Sequence, residues 1–160
     1  MTTMPEAREA IYQFFLDGWL PDTGVDGYTL NADGTSWDAD PNGARTPYTF
    51  DNEEFDPPDG PWVRFSFRNR NRGQETLGAA PNRRFGTRSS AFVQYFEPPG
   101  SGTATADSHM DKALSIFEGK RITGTTLRVV SATARELGPD PDKRWWGGTV
   151  EIVTDYDEQK

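Results

Sequence analysis

Two segments of the chain, residues 5–19 and 104–118, repeat apolar residues at the spacing of an amphipathic helix. In each segment the apolar side chains recur three or four positions apart and would form one stripe along the helix. They are Ala7, Ile11, Phe14, Phe15 and Trp19 in the first segment, and Ala106, Met110, Ala113, Leu114 and Phe117 in the second. Pro5 suits a first helical turn, and Gly119 suits the end of a helix. We therefore predict two helices that pack through these stripes.

Four further segments have the pattern of β-strands. Residues 62–68 alternate cleanly, with apolar Val63, Phe65 and Phe67 on one face and polar residues on the other. Three more strands are predicted at residues 90–97, 125–137 and 145–156 from β-branched and aromatic residues separated by turn residues. This order predicts a single α+β domain over residues 1–160, in which residues 62–156 form an antiparallel sheet of about four main strands, with two packed helices.

A long acidic segment separates the first helix from this sheet. Residues 20–61 are rich in glycine, proline, aspartate and asparagine and show no sustained periodicity, which predicts a long loop with at most a short hairpin. Residues 17–59 contain eleven carboxylates and one arginine. A loop of this length is often functional or becomes ordered on a partner. The acidic interface candidates within it are Asp33, Asp38, Asp40, Glu53 and Glu54.

The next part of the chain has the opposite charge, which the net charge of −8 conceals. Residues 64–88 hold seven of the thirteen arginines and one glutamate, and residues 69–86 are predicted as an arginine-rich excursion between two strands. Because the chain as a whole is acidic, pairing with carboxylates of another subunit is favoured over nucleic-acid binding, which stays open. The interface candidates are Arg68, Arg70, Arg72, Arg83, Arg84 and Arg88.

Composition excludes several kinds of catalytic and metal site. The chain has no cysteine, and its single histidine, His109, cannot form a multi-histidine metal site within one subunit. Asp107, Ser108 and His109 are neighbours on one predicted helix and do not face one another, so exposed helix residues are favoured over a nucleophilic triad. Residues 38–43 begin like a calcium-binding loop, but Thr49 stands where the loop needs glutamate, and a polar turn is favoured. We expect no enzyme activity, no metal, no cofactor and no small-molecule substrate.

Apolar residues are too few and too scattered for a membrane span. No apolar run approaches the roughly 20 residues that such a span needs, and the N-terminus lacks the pattern of a secretory signal, so we expect neither a membrane nor a signal peptide. Leu, Ile, Val and Phe number 28 of 160 residues, which predicts a thin core completed by aromatic rings and by assembly. Trp145 and Trp146 are adjacent, so one of them should be exposed or covered by another chain.

Several motifs occur in an order that is typical of a known family. Residues 48–64 read YTFDNEEFDPPDGPWVR, and Arg84-Phe85-Gly86 leads into residues 93–102, VQYFEPPGSG. A helix follows, and residues 138–140 turn into a tryptophan-containing last strand that ends in the acidic residues 155–158. With the N-terminal helix, this arrangement resembles the small tail terminator proteins of long, non-contractile-tailed bacteriophages over most of the chain. Residues 20–47 depart from the family, because they form a longer loop than its members have.

The resemblance implies a function in virion assembly. It implies a structural subunit that forms a homo-hexameric ring, caps the tail tube, ends tube polymerisation and joins the tail to head-completion (stopper) proteins. Double-stranded DNA would pass through the lumen of the ring, and the arginine candidates would contact a neighbouring subunit or the tube, or line that lumen. The protein would occupy the head–tail junction of the virion after assembly in the host cytoplasm. Two alternatives stay open: another head–tail connector or tail tube component, and a carboxylate-based hydrolase.

Overall fold

The computed structural model describes residues 2–20, 27–32, 34, 36–43, 45–77 and 82–159. Within these ranges the chain forms two helices and seven strands. In chain order they are α1 Met4–Trp19, β1 Tyr28–Leu30, β2 Trp37–Ala39, β3 Tyr48–Phe50, β4 Trp62–Gln74, β5 Arg84–Glu97, α2 Ala104–Phe117, β6 Arg128–Pro139 and β7 Trp146–Gln159. This is the α+β architecture that the sequence predicts. Of the described helices, neither has the length and apolar character needed to cross a membrane.

The main sheet has five strands in the order β3-β4-β5-β7-β6, and β1 and β2 form a separate antiparallel pair. The prediction of about four antiparallel strands is wrong in one respect, because β3 pairs parallel with β4 at the edge of the sheet. β3 and the β1–β2 hairpin lie in the segment predicted as loop. A three-residue strand is too short for its sequence to show a period of two. In the fold, the rings of Tyr48 and Phe50 on β3 pack against Phe15 of α1.

Both helices pack on one face of the sheet, and the core lies between the two layers. The predicted stripes are largely confirmed: Ala7, Ile11, Phe15 and Trp19 of α1 and Ala106, Met110, Ala113 and Phe117 of α2 are buried. The facing strand residues include Val63, Phe65, Phe67, Val93, Val150 and Ile152. Phe65 lies at the centre, with its ring stacked on Phe15 at 4.5 Å between centroids. Aromatic rings therefore supply much of the burial that a small number of aliphatic residues cannot.

Polar contacts define both ends of α1. At the start, the backbone N–H of Thr3 donates to Glu6 Oε2 at 2.7 Å, and this bond lowers the pKa of Glu6 below its usual 4.5. The contact therefore stabilises the fold above that pH, and its contribution is lost as the pH falls through the lowered pKa. At the other end, Lys112 Nζ donates to the Trp19 carbonyl at 3.1 Å. A side chain of α2 thus caps the C-terminus of α1.

Gly18 of α1 lies directly against the side chain of Ile116 on α2. A Cβ atom at this position would lie 2.8 Å from Ile116 Cγ1 and 2.9 Å from Cγ2. We expect Gly18→Ala to lower the free energy of unfolding by about 1–2 kcal/mol, because overpacking outweighs the improved helix propensity. Urea denaturation checks this. In an Ile116→Ala background the clash is absent, so the same substitution should be neutral or stabilising; a stabilising effect in the wild-type background would contradict the contact.

The long hairpin of β4 and β5 extends well beyond the predicted strands. β4 continues to Gln74 and β5 begins at Arg84, with Gln74 paired to Phe85 and a register shift between Asn69 and Asn71. The predicted excursion at residues 69–86 is therefore largely regular strand, because β5 also pairs with β7 along its whole length. Every described residue from 70 to 77 is exposed. Residues 70–77 and 82–86 are called the hairpin arm below.

Candidate functional site

Most of the arginines singled out by the sequence face carboxylates on β7. β5 lies between β4 and β7, and the register pairs Arg88 with Asp155, Phe92 with Glu151 and Gly86 with Asp157. Alternate residues of β7 point to the face of the sheet away from the helices, here called the outer face. Glu151, Asp155 and Asp157 have the spacing of that face.

Four of these arginines form ion pairs within their own chain. Arg72 Nη2 lies 2.6 Å from Glu158 Oε2, and Arg88 Nε lies 3.0 Å from Asp155 Oδ1. Arg70 pairs with Glu151, and Arg84 pairs with Asp157. Hydrogen bonds to Asp157 and Asp155 raise the pKa of Arg84 and Arg88, respectively. Arg70, Arg72, Arg84 and Arg88 with their β7 partners are called the charge ladder. Three of its pairs lie on the outer face, and the Arg72–Glu158 pair lies on the side of the sheet that Tyr156 faces.

The charge ladder gives four of the predicted interface arginines partners within their own chain. Pairing of these arginines with carboxylates of another subunit stays a prediction. The pairs join residues 67 to 86 positions apart, and only the strand order brings them together. The arginine side chains remain 35–59% exposed. Exposed ion pairs contribute little stability, so a carboxylate of a partner could replace one at small cost.

The other two arginine candidates lie at the ends of the charge ladder. Arg68, on β4, is exposed and forms no ion pair with any residue in the described part of the chain. Arg83 is exposed immediately before β5. Arg64, which the sequence also places on the outer face, lies over the rings of Trp62 and Phe96 at 5.5 and 5.8 Å. The outer face thus combines guanidinium groups with aromatic rings.

A second surface is an apolar groove at the other end of the sheet. It is a cavity of about 440 Å³ whose walls include Pro98, Pro99, Pro139, Trp145 and Trp146; it is called the tryptophan groove. Both tryptophans are half-buried in the single chain. That one of them is covered by another chain stays a prediction. Trp145 precedes β7 and packs against Trp62 at 5.9 Å, so strict strand alternation does not apply to the pair.

A tight turn positions this groove. Asp140 Oδ1 accepts hydrogen bonds from the backbone N–H groups of Arg144 and Trp145, at 2.7 and 3.0 Å. Lys143 has φ of +53°, in the left-handed region, and lines the groove. The sequence predicts the turn, but it does not show that Pro98 and Pro99, some forty residues earlier, form the facing wall.

The four acidic interface candidates that the structure describes form no ion pair with the charge ladder. Asp38 is exposed on β2, Asp40 accepts from the backbone N–H of Asn42 at 2.9 Å, and Glu53 accepts from that of Phe50 at 3.0 Å. Glu54 is exposed, and Asp33 lies outside the described residues. In the parts of the chain that the structure describes, no three His, Asp or Glu residues are grouped as a metal site would require.

His109 is buried, which corrects its prediction as an exposed helix residue. Its ring stacks on Tyr95 at 4.8 Å. Nδ1 lies 2.8 Å from the carbonyl oxygen of Thr105, and Nε2 lies 2.7 Å from Thr46 Oγ1. A ring that donates from Nδ1 to the carbonyl accepts from Thr46 at Nε2. Asp107 and Ser108, by contrast, are exposed. Because Thr46 precedes β3 and His109 lies on α2, their hydrogen bond links the chain before β3 to this helix.

Comparison with known proteins gives information about the fold and none about the function. No family model matches the chain, and no curated protein matches it. Sixteen chains of solved structures are similar to it. One of them, a protein without a descriptive name, is 18% identical, with a TM-score of 0.54 over 96% of both chains. At this identity the similarity shows the fold alone. The α+β domain is therefore present in a solved chain of nearly the same extent.

The ion pair of Arg72 with Glu158 is the most buried of the charge ladder. The Arg72 guanidinium also lies over the ring of Phe85, at 4.8 Å from its centroid. We expect Arg72→Ala to lower the free energy of unfolding by about 1–2 kcal/mol through loss of both contacts. Arg68→Ala is the matched control on the same strand and should change stability by less than about 0.5 kcal/mol. Urea denaturation at low and high salt measures both. Equal losses in the two variants would contradict a role for the pair.

Proposed function

We propose that this protein is the tail terminator of a long, non-contractile-tailed bacteriophage. In this proposal six copies form a ring that caps the tail tube, ends its polymerisation and joins the tail to a head-completion protein. The observation that carries the proposal is the position of the family-like motifs in the fold. Residues 48–64 form β3 and the start of β4, residues 93–102 run from β5 towards α2, and residues 138–158 form the last turn and β7. The resemblance therefore extends over the sheet rather than one isolated loop.

The geometry supports an assembly role in a second way. A ring built head to tail needs two different surfaces on each subunit. The hairpin arm is charged and fully exposed along β4, whereas the tryptophan groove at the opposite end of the sheet is apolar. These surfaces differ in shape and chemistry, as the two sides of a heterologous contact do.

The charge ladder fits the passage of DNA through such a ring. A duplex carries a dense line of negative charge and binds tightly where many free arginines meet its phosphates. Because the three outer-face pairs of the ladder match arginines with carboxylates, a lumen lined by them would repel DNA less than an acidic wall and hold it less than a basic one. The protein would then act at the head–tail junction of the virion, after assembly in the host cytoplasm.

Electron microscopy with native mass spectrometry of the purified protein tests this proposal. We expect closed rings of six subunits that bind one end of tail tubes and restore head joining to tails that lack their terminator. An open polymer, or binding to a portal complex, would instead favour a tube component or another connector. A monomer that turns over a substrate would overturn the proposal in favour of a hydrolase.

A further inference from the structure

The turn that follows β2 contains the only asparagine–glycine pair of the sequence, Asn42-Gly43. The backbone N–H of Gly43 donates to the carbonyl oxygen of Asp40 at 2.8 Å, which closes a β-turn with Pro41 and Asn42 at its centre. Asn42 does not have the positive φ that a type II turn requires at this position, so the turn is of type I. The side chain of Asn42 is exposed to solvent.

An asparagine followed by glycine undergoes a spontaneous reaction of its own side chain. The backbone nitrogen of the glycine loses its proton and attacks Cγ of the asparagine, ammonia leaves, and a five-membered succinimide ring forms. Water then opens the ring at either carbonyl, and the product is aspartate or isoaspartate. Glycine favours this attack because it has no side chain to shield its backbone nitrogen.

The fold requires glycine at position 43. A Cβ atom there would lie 2.5 Å from the carbonyl oxygen of Tyr28 and 2.6 Å from its carbonyl carbon. Both are backbone atoms of β1, which cannot move aside without disturbing the β1–β2 hairpin. A larger residue that would slow the reaction is therefore excluded by sterics, and the reactive pair is part of the structure of the hairpin.

We infer that Asn42 is a site of deamidation and that the closed turn controls its rate. Ring closure needs a free nitrogen at Gly43, but the Asp40 carbonyl holds that N–H, and the Asp40 carboxylate accepts from the N–H of Asn42 at 2.9 Å. The reaction must therefore wait for the turn to open. Because local opening of an exposed turn costs less than global unfolding, conversion proceeds in the folded protein. This inference is independent of the proposed function.

The isoaspartate product would change the hairpin. It places one extra atom in the backbone before Gly43, so Gly43 cannot keep its bonds both to Asp40 and to the N–H of Gly27, which donates to the Gly43 carbonyl at 3.1 Å. The β1–β2 pair should loosen, and with it the contact in which Tyr28 Oη accepts from the N–H of Gly60 at 2.9 Å. The five-stranded sheet contains neither strand and should not change.

Storage of the purified protein at mildly alkaline pH tests the site, because base removes the proton from the attacking nitrogen. Peptide mapping by mass spectrometry, with an isoaspartate methyltransferase assay, measures conversion at each asparagine. Asn52 and Asn71 are internal controls, since both are exposed but are followed by residues with large side chains, Glu53 and Arg72. We expect Asn42 to convert several-fold faster than either control. Equal rates at the three positions would overturn the inference.

Two variants test the control by the turn. Asp40→Ala removes the acceptor of the Asn42 N–H, so we expect conversion to become about fivefold faster, the factor that corresponds to about 1 kcal/mol for one hydrogen bond. Asn42→Gln retains the turn and should keep the hydrogen-exchange protection of β1 and β2 on storage, whereas the wild type should lose it. An unchanged rate in Asp40→Ala, or equal loss of protection in stored Asn42→Gln, would refute the inference.

Discussion

Phe65→Ala should lower the free energy of unfolding by about 3–5 kcal/mol, the largest effect expected of any single substitution here. The side chain is fully buried, and its ring packs on Phe15 at 4.5 Å, on Tyr12 at 5.4 Å and on Phe117 at 5.9 Å. Removal of the ring therefore leaves a cavity between both helices and the sheet. Since domains of this kind have a total stability of about 5–15 kcal/mol, urea denaturation should show a markedly lower midpoint.

Phe92→Ala is the matched control on the opposite face of the sheet. Phe92 lies on β5, is half-buried, and contacts the guanidinium of Arg70 at 5.9 Å. Because no helix packs on that face, we expect a loss of only about 1 kcal/mol in the isolated protein. A loss equal to that of Phe65→Ala would show that the outer face is as tightly packed as the core, contrary to the two-layer structure.

Reversal of three arginines, Arg70→Glu, Arg72→Glu and Arg84→Glu together, should open the hairpin arm. Each new carboxylate would face an existing one on β7, and like charges at paired positions destabilise a sheet. Hydrogen exchange of the arm should become fast, while exchange in the core strands stays slow. Ring formation or joining of tails should also fail if the proposed function is correct, because the arm is one of the two contact surfaces.

A charge-swap variant distinguishes the loss of the fold from the loss of a partner. Adding Glu151→Arg, Glu158→Arg and Asp157→Arg to the triple reversal restores opposite charges at all three pairs. The arm should then regain slow exchange. If assembly stays lost, the original arginine positions are needed by a partner; if assembly also returns, their only role is to stabilise the arm. Fast exchange in the swapped variant would contradict the charge ladder itself.

The elements that the sequence predicts well are those whose signal is local. Both helices begin and end within one residue of the predicted bounds, because each has a stripe of apolar residues and a terminal signal of its own. The inward faces of β4 and β7 are also confirmed, with Val63, Val150 and Ile152 fully buried. In these segments the alternation of residue types and the burial have the same cause, which is contact with a single apolar layer.

The features that sequence inspection missed depend on distant segments. β3 has only three residues; it pairs with β4, and Phe50 of β3 packs against Phe15 of α1. His109 looks like a surface residue beside Asp107 and Ser108, but its ring lies beside Tyr95 of β5. The hairpin arm contains arginine, asparagine and glycine, which indicate a loop, and it becomes strand because β7 continues alongside it.

The sequence by itself determined the fold class, the two helices, the thin aromatic core and the separation of acidic and basic segments, since each depends on residue type and local spacing. Only the tertiary structure decided how the charges and apolar residues are used. Strand order placed β7 between β5 and β6, and this turned an apparently unpaired arginine cluster into a ladder of internal ion pairs. Contacts of this kind are set by which strands are neighbours, a property that no local pattern contains.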